Sequence, residues 1–133
     1  MYEYFPDNYA WSLTTATMID EVGTMTEVDE ALRPLMPIAG GDPRVAGEGW
    51  YQAMTKAGEK QERLAERDEK AGHALTAARK WHRAGVYHLR AERFIQHGDP
   101  RQILSYKRGI ETFRHARELA REPVEYVDIP WQG

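Results

Sequence analysis

Apolar residues recur every three or four positions along most of this chain, the spacing that places them on one face of an α-helix. Asp7 or Asn8 can cap a first helix that runs to about Val22, and Gly23 supplies its left-handed end. Thr24 with Glu27 has the spacing of a capping box, and Pro34 and Pro37 keep the helix that follows short. After the loop 38–41, Asp42-Pro43 starts a long helix to about Lys70, with Ala46, Trp50, Ala53, Ala57 and Leu64 along one stripe. Gly72 marks a break. The next helix, about 73–96, carries Ala74, Ala77, Trp81, Ala84, His88, Ala91 and Ile95, with Tyr87 and Phe94 widening the stripe. Gly98-Asp99-Pro100 is a stop and restart. A last helix, about 101–121, shows Ile103, Tyr106, Ile110, Phe113, Ala116 and Ala120 on one face, and Pro123 ends it.

The pattern then changes. Val124-Glu125-Tyr126-Val127-Asp128-Ile129 reads as one β-strand, and Pro130 to Gly133 as the start of a turn. A lone strand cannot satisfy its own backbone groups, and the chain offers no second strand to pair with it. The expected fold is therefore all-α, a bundle of four or five helices with one C-terminal strand that needs a partner.

Charge refines this picture. The net charge of −3 over 133 residues hides an asymmetry. Residues 1–50 hold nine acidic and two basic side chains, and residues 51–133 hold twelve and sixteen. Either the two halves attract each other within one fold, or the basic part meets an anionic partner. The basic residues of the last two helices are spread around them, and the aromatics lie on the apolar stripe. That arrangement argues against nucleic acid. No apolar run approaches the roughly 18 residues of a membrane span, and no secretory leader pattern is evident. With no cysteine, thiolate catalysis, disulfides and Cys-ligated metals are excluded.

Candidate chemistry is sparse. There is no Gly-x-Ser-x-Gly elbow, dinucleotide fingerprint, P-loop or His-Glu-x-x-His. The two serines, Ser12 and Ser105, do not sit on a strand-to-helix turn. Glu111, His115 and Glu118 share a helical face but lack matching ligands elsewhere, so a salt-bridging surface is expected there and no metal site. The charged run from Lys56 to Lys70 reads as a solvated face. His88 on the apolar stripe is either a hydrogen-bonded core histidine or a pocket residue. Trp11, Trp50, Tyr51, Trp81 and Tyr87 either pack the core or form an aromatic wall for a ring-bearing ligand.

Three stretches point further: Tyr4-Phe5-Pro6-Asp7-Asn8-Tyr9-Ala10-Trp11-Ser12, then Thr76 to His88 with Arg90-Ala91-Glu92-Arg93-Phe94, and finally Pro123 to Pro130. With these the chain resembles the N-terminal helical segment of a branch of the α/β-hydrolase superfamily, the branch typified by 2,6-dihydroxypseudooxynicotine hydrolase and including the fermentation–respiration switch protein. The resemblance implies a helical cap over residues 1–122, with residues 123–133 as the first strand and turn of an α/β-hydrolase core that this sequence does not contain. It implies a serine hydrolase acting on a small ester, amide or C–C bond substrate, without a cofactor, whose nucleophile, acid and histidine lie outside this chain. The expected partners are the catalytic domain, in the same or a separate chain, a small-molecule substrate and a second copy in a homodimer, with no nucleic acid and no membrane, in the cytoplasm. Trp11, Trp50, Tyr51 and His88 are the expected substrate-facing residues, from their size and their place on apolar faces. The rival expectation is a free-standing helical adaptor that adds strand 124–129 to a partner's sheet.

Overall fold

The computed structural model describes residues 3–132. Five α-helices follow one another: α1 (Tyr9–Val22), α2 (Met25–Leu32), α3 (Pro43–Lys70), α4 (Ala74–Ala91) and α5 (Pro100–Ala120). A 3-10 helix, Arg33–Ile38, continues α2 and contains Pro37. The missing proline N–H is tolerated better in this short, tighter helix than in an α-helix interior.

The helix boundaries follow local chemistry. Asn8 accepts from the Trp11 amide and starts α1, which Gly23 ends at φ 76°. Asp42 accepts from the amides of Arg44 and Val45, and Asp99 from that of Arg101, each before a proline at the first helical position. Thr24 stands at the N-cap of α2 but makes no side-chain capping bond, so the expected capping box is not formed. Its partner in that box, Glu27, instead accepts from Arg83 on α4 at 3.2 Å. A tertiary ion pair has replaced a local cap.

Contacts fix the helix directions. Lys80 meets Asp68, His88 meets Glu62 and the Trp50 indole meets the Arg90 carbonyl, so α4 runs back along α3. Gly85 faces Phe113 and Gly109 faces Leu89, so α5 runs back along α4. Arg101 meets Glu48, Arg108 meets Glu59 and Glu62, and His115 meets Glu69, which sets α5 parallel to α3. Small residues make this close: a Cβ on Gly109 would lie 2.7 Å from the Leu89 side chain. α1, α2 and the 3-10 helix close one end of this bundle. There Phe5, Trp11, Trp50 and Phe94 stack edge-on or tilted, with ring centroids 4.9–5.9 Å apart.

The acidic front and basic back attract each other within the fold. Arg83–Glu27, Arg90–Glu21, Lys60–Glu30 and Arg101–Glu48 all join residues of the first fifty to later ones.

Two expectations are corrected. The inward face of α5 is centred on Ser105, Gly109, Thr112 and Ala116; of the expected apolar series Ala116 is buried and Phe113 packs against the core, but Ile103 and Tyr106 are exposed, as is Leu104. Helix–helix proximity selects small residues here over large ones. The expected strand 124–129 is not formed: among the described residues there is no β-strand, and 122–132 runs exposed without regular structure. With no second strand among the described residues, the segment has no ladder to join there. It lies along α5 instead, with Arg114 over the Tyr126 ring at 4.7 Å and Arg117 donating to the Tyr126 hydroxyl. The turn expected at Gly133 lies outside the described residues.

Candidate functional site: a groove between α2 and α3

The four residues expected to face substrate occupy different settings. Trp11 and Trp50 are in the packed interior, and the Trp50 Nε1–H donates to the Arg90 carbonyl oxygen at 2.8 Å. His88 is buried with its Nε2 2.9 Å from Glu62 Oε1. Tyr51 is half-buried, its ring covered by the Arg101 guanidinium at 4.5 Å. Trp11 and Trp50 are brought together, while Tyr51 and His88 stand apart from them in separate polar contacts. None of the four lines either of the two grooves described next.

The first groove, of about 400 Å³, lies between α2 with its 3-10 extension and α3. Ala31, Leu35, Ala53 and Ala57 give it apolar walls, and Glu30 and Lys60 join those walls by an ion pair at 2.8 Å. Glu27, Gln61 and Tyr87 reach it from α2, α3 and α4. Burial, and next the negative Glu27 carboxylate, push the Tyr87 phenol far above its ordinary range. The hydroxyl is beside the Glu27 carboxylate, and a hydrogen bond to it favours the neutral phenol further. The second groove, about 480 Å³, is lined by Leu75, Ala78, His82, Arg83, Ala116 and Arg117 among others. Burial and then the neighbouring Arg117 lower the His82 pKa, which favours the neutral imidazole.

The charged second half of α3 is less solvated than its sequence suggests. Glu62 is largely buried and accepts from His88 and Arg108. Burial works to raise its pKa, but those hydrogen bonds outweigh it and hold the carboxyl below the usual value. Glu69 collects Trp81 Nε1 at 3.0 Å and His115 Nε2 at 2.9 Å. A charged run read by itself does not reveal partners 26 and 46 residues away.

Nucleophilic chemistry finds no support among the described residues. Ser12 is buried, accepts from the Phe5 amide and donates to the Phe5 carbonyl, both at 2.9 Å, so it staples the N-terminal segment to α1. Ser105 is buried against the neighbouring helix. No group of three or more His, Asp or Glu side chains is placed to hold a metal ion among the described residues, and no helix there is long and apolar enough to cross a membrane.

No family profile matches the chain, and no solved structure matches it. It is 30% identical over 106 residues to the alpha/beta hydrolase xenA of Xenoacremonium sinensis, a stretch covering 80% of this chain. That stretch is 24% of the relative, so the chain spans about a quarter of the length of the protein it matches. The similarity therefore places this helical chain beside the α/β-hydrolase superfamily.

Proposed function

We propose that this chain is the helical cap of a serine α/β-hydrolase: it covers and shapes a substrate pocket whose nucleophile, acid and histidine belong to a separate catalytic domain, in the same or another polypeptide. The observation that carries this reading is the likeness of this helical chain to about one quarter of an α/β-hydrolase. Closing such a cap excludes water and strengthens the electrostatics of the site beneath it. The boundary falls after α5: residues up to 122 form the cap, and 123–133 lead into the catalytic domain and pair there as its first strand. Tyr51, half-exposed, is the residue we assign to substrate contact, with Trp11, Trp50 and His88 holding the helices that present it. The substrate is a small ester, amide or C–C bond compound. A cytoplasmic homodimer is part of the same reading.

The test is to immunoprecipitate the natural gene product and label it with a fluorophosphonate probe for activated serines. A labelled species several times heavier than 15.3 kDa, or a labelled partner captured with the chain, is the expected result. A 15.3 kDa product that captures no labelled protein would sink the cap reading.

The exposed tail favours a second reading. Val124, Tyr126, Val127 and Ile129 are exposed and their backbone joins no sheet among the described residues. A free-standing adaptor would lend this segment to a partner's sheet edge. The same precipitation separates the two, since the adaptor brings down a partner without an activated serine.

A further inference from the structure

The second groove, between α4 and the last turns of α5, carries more positive charge than its surroundings answer. Leu75, Arg79 and His82 stand at i, i+4 and i+7 on α4, and Arg117 reaches the same groove from α5. Arg79 is exposed, and its guanidinium has no hydrogen-bond or ion-pair partner among the described residues. Arg83 is already paired with Glu27. Arg117 meets Glu122 only at 3.9 Å, in a pair exposed on both sides and correspondingly weak, and the Tyr126 hydroxyl at 3.4 Å. Among the described residues, Glu122 is the one anion in a lining that holds three arginines.

These groups define what fits the groove. One guanidinium without a partner and a second held weakly call for a single negative charge. His82 adds a donor. Its ring packs on Phe113 with centroids 5.0 Å apart, and its nitrogens have no hydrogen-bond partner among the described residues, so the neutral imidazole keeps an N–H to give. Burial first, then Arg117 on α5 and Arg83 on its own helix, oppose its protonation, while Glu122 and Glu21 favour it. Val22, Leu75, Ala78, Ala116 and Ala120 supply apolar contact for the rest of a ligand, and about 480 Å³ is the size of a small-molecule pocket. A bare inorganic anion would leave those walls unused.

We propose that this groove binds a small organic carboxylate, with its charged group between Arg79 and Arg117 beside His82 and its apolar body against Leu75, Ala78 and Ala116. The bound carboxylate displaces Glu122 from Arg117. The site is built wholly from this chain, so it stands whether or not the chain caps a hydrolase.

The full chain is titrated by NMR with benzoate, with its neutral isostere benzamide, and with inorganic phosphate. Benzoate is expected to shift amides of the first half of α4 and the last turns of α5. Benzamide lacks the charge and phosphate lacks the apolar body, so each should bind at least about tenfold more weakly, a difference of about 1.4 kcal/mol. Saturating benzoate should also raise the His82 pKa, followed at its ring proton, because a carboxylate beside the imidazole favours the protonated form. Arg79→Gln should weaken benzoate about tenfold and leave Tm unchanged, since that side chain is exposed and unpaired. Glu122→Gln should tighten benzoate by releasing Arg117. Equal binding of benzamide, tighter binding of phosphate, or a His82 pKa that benzoate leaves in place or lowers each overturn the proposal. So do an Arg79→Gln chain that binds benzoate as the parent does, and amide shifts that are absent or confined elsewhere.

Discussion

Trp50 shows how much one side chain carries in this bundle. It is fully buried, touches Trp11 and Phe94, and satisfies the Arg90 carbonyl at the last turn of α4. Trp50→Ala removes that volume and leaves the carbonyl without its donor. The expected cost is about 3–5 kcal/mol, read as a fall in the denaturation midpoint. Gly47, one turn earlier on the same helix, is constrained differently. A Cβ there would lie 2.1 Å from the Phe94 carbonyl oxygen, and a backbone atom cannot swing away as a side chain tip can. Alanine ordinarily gains about 1 kcal/mol over glycine in a helix interior. At this position Gly47→Ala should instead destabilise by about 1–3 kcal/mol, the usual cost of overpacking. Gly41→Ala, whose Cβ would stand 3.4 Å from the Ile38 carbonyl oxygen in the loop before α3, should differ from it by its small effect in the same melts.

At the scale of elements, Glu62 ties three helices together, since its carboxylate on α3 receives His88 from α4 and Arg108 from α5. Because its folded pKa lies below the ordinary glutamate value of 4.5, the stability it confers is fully present above that pH. It is lost as pH falls through the lowered value. Glu62→Gln should therefore cost about 1–3 kcal/mol at neutral pH. The difference from the parent should narrow as urea midpoints are followed below pH 4.5, and a difference that stays constant down the acid limb would refute the link. The helices themselves were readable from the sequence, because Asn8, Asp42-Pro43, Gly23, Gly72 and Asp99-Pro100 act on their immediate neighbours. What packs against what was less so. Glu62 belongs to the charged run that reads as a solvated face, and its partners are 26 and 46 residues away. α5 was turned because its inward stripe is Ser105, Gly109, Thr112 and Ala116, where small size mattered more than hydropathy. The polar side of the groove between α2 and α3 left no trace at all: Tyr87 was visible as an aromatic on the apolar stripe, but its approach to Glu27 of α2, which Arg83 also reaches, is set by tertiary packing.

For the whole molecule, the informative surface is the one the bundle leaves uncovered. Ile103 and Leu104 are 62% and 65% exposed beside Tyr106 on the first two turns of α5. The tail past α5 adds Val127, Ile129 and Trp131, the last 90% exposed. Singly such residues need no explanation, but three exposed apolar side chains within four residues at the start of α5 have the character of a protein contact, and the apolar tail leaves the other end of the same helix. In the cap reading that contact is the catalytic domain. Ile103→Lys combined with Leu104→Glu leaves the net charge unchanged and touches side chains that are mostly exposed, so the isolated chain should melt within about 0.5 kcal/mol of the parent. Association is a different matter, because anchors at the centre of an interface dominate its energy. In the complex recovered from the natural source, the double variant should lose the fluorophosphonate-reactive partner tenfold or more, or, within one polypeptide, lower kcat/KM without lowering the melting temperature of the helical part. If the chain self-associates through the same face, sedimentation of the purified chain should fall to the monomer mass with the double variant. A variant that keeps both its partner and its turnover would show that the first turns of α5 face solvent in the assembled protein, and the second groove, between α4 and the last turns of α5, would be the next face to test.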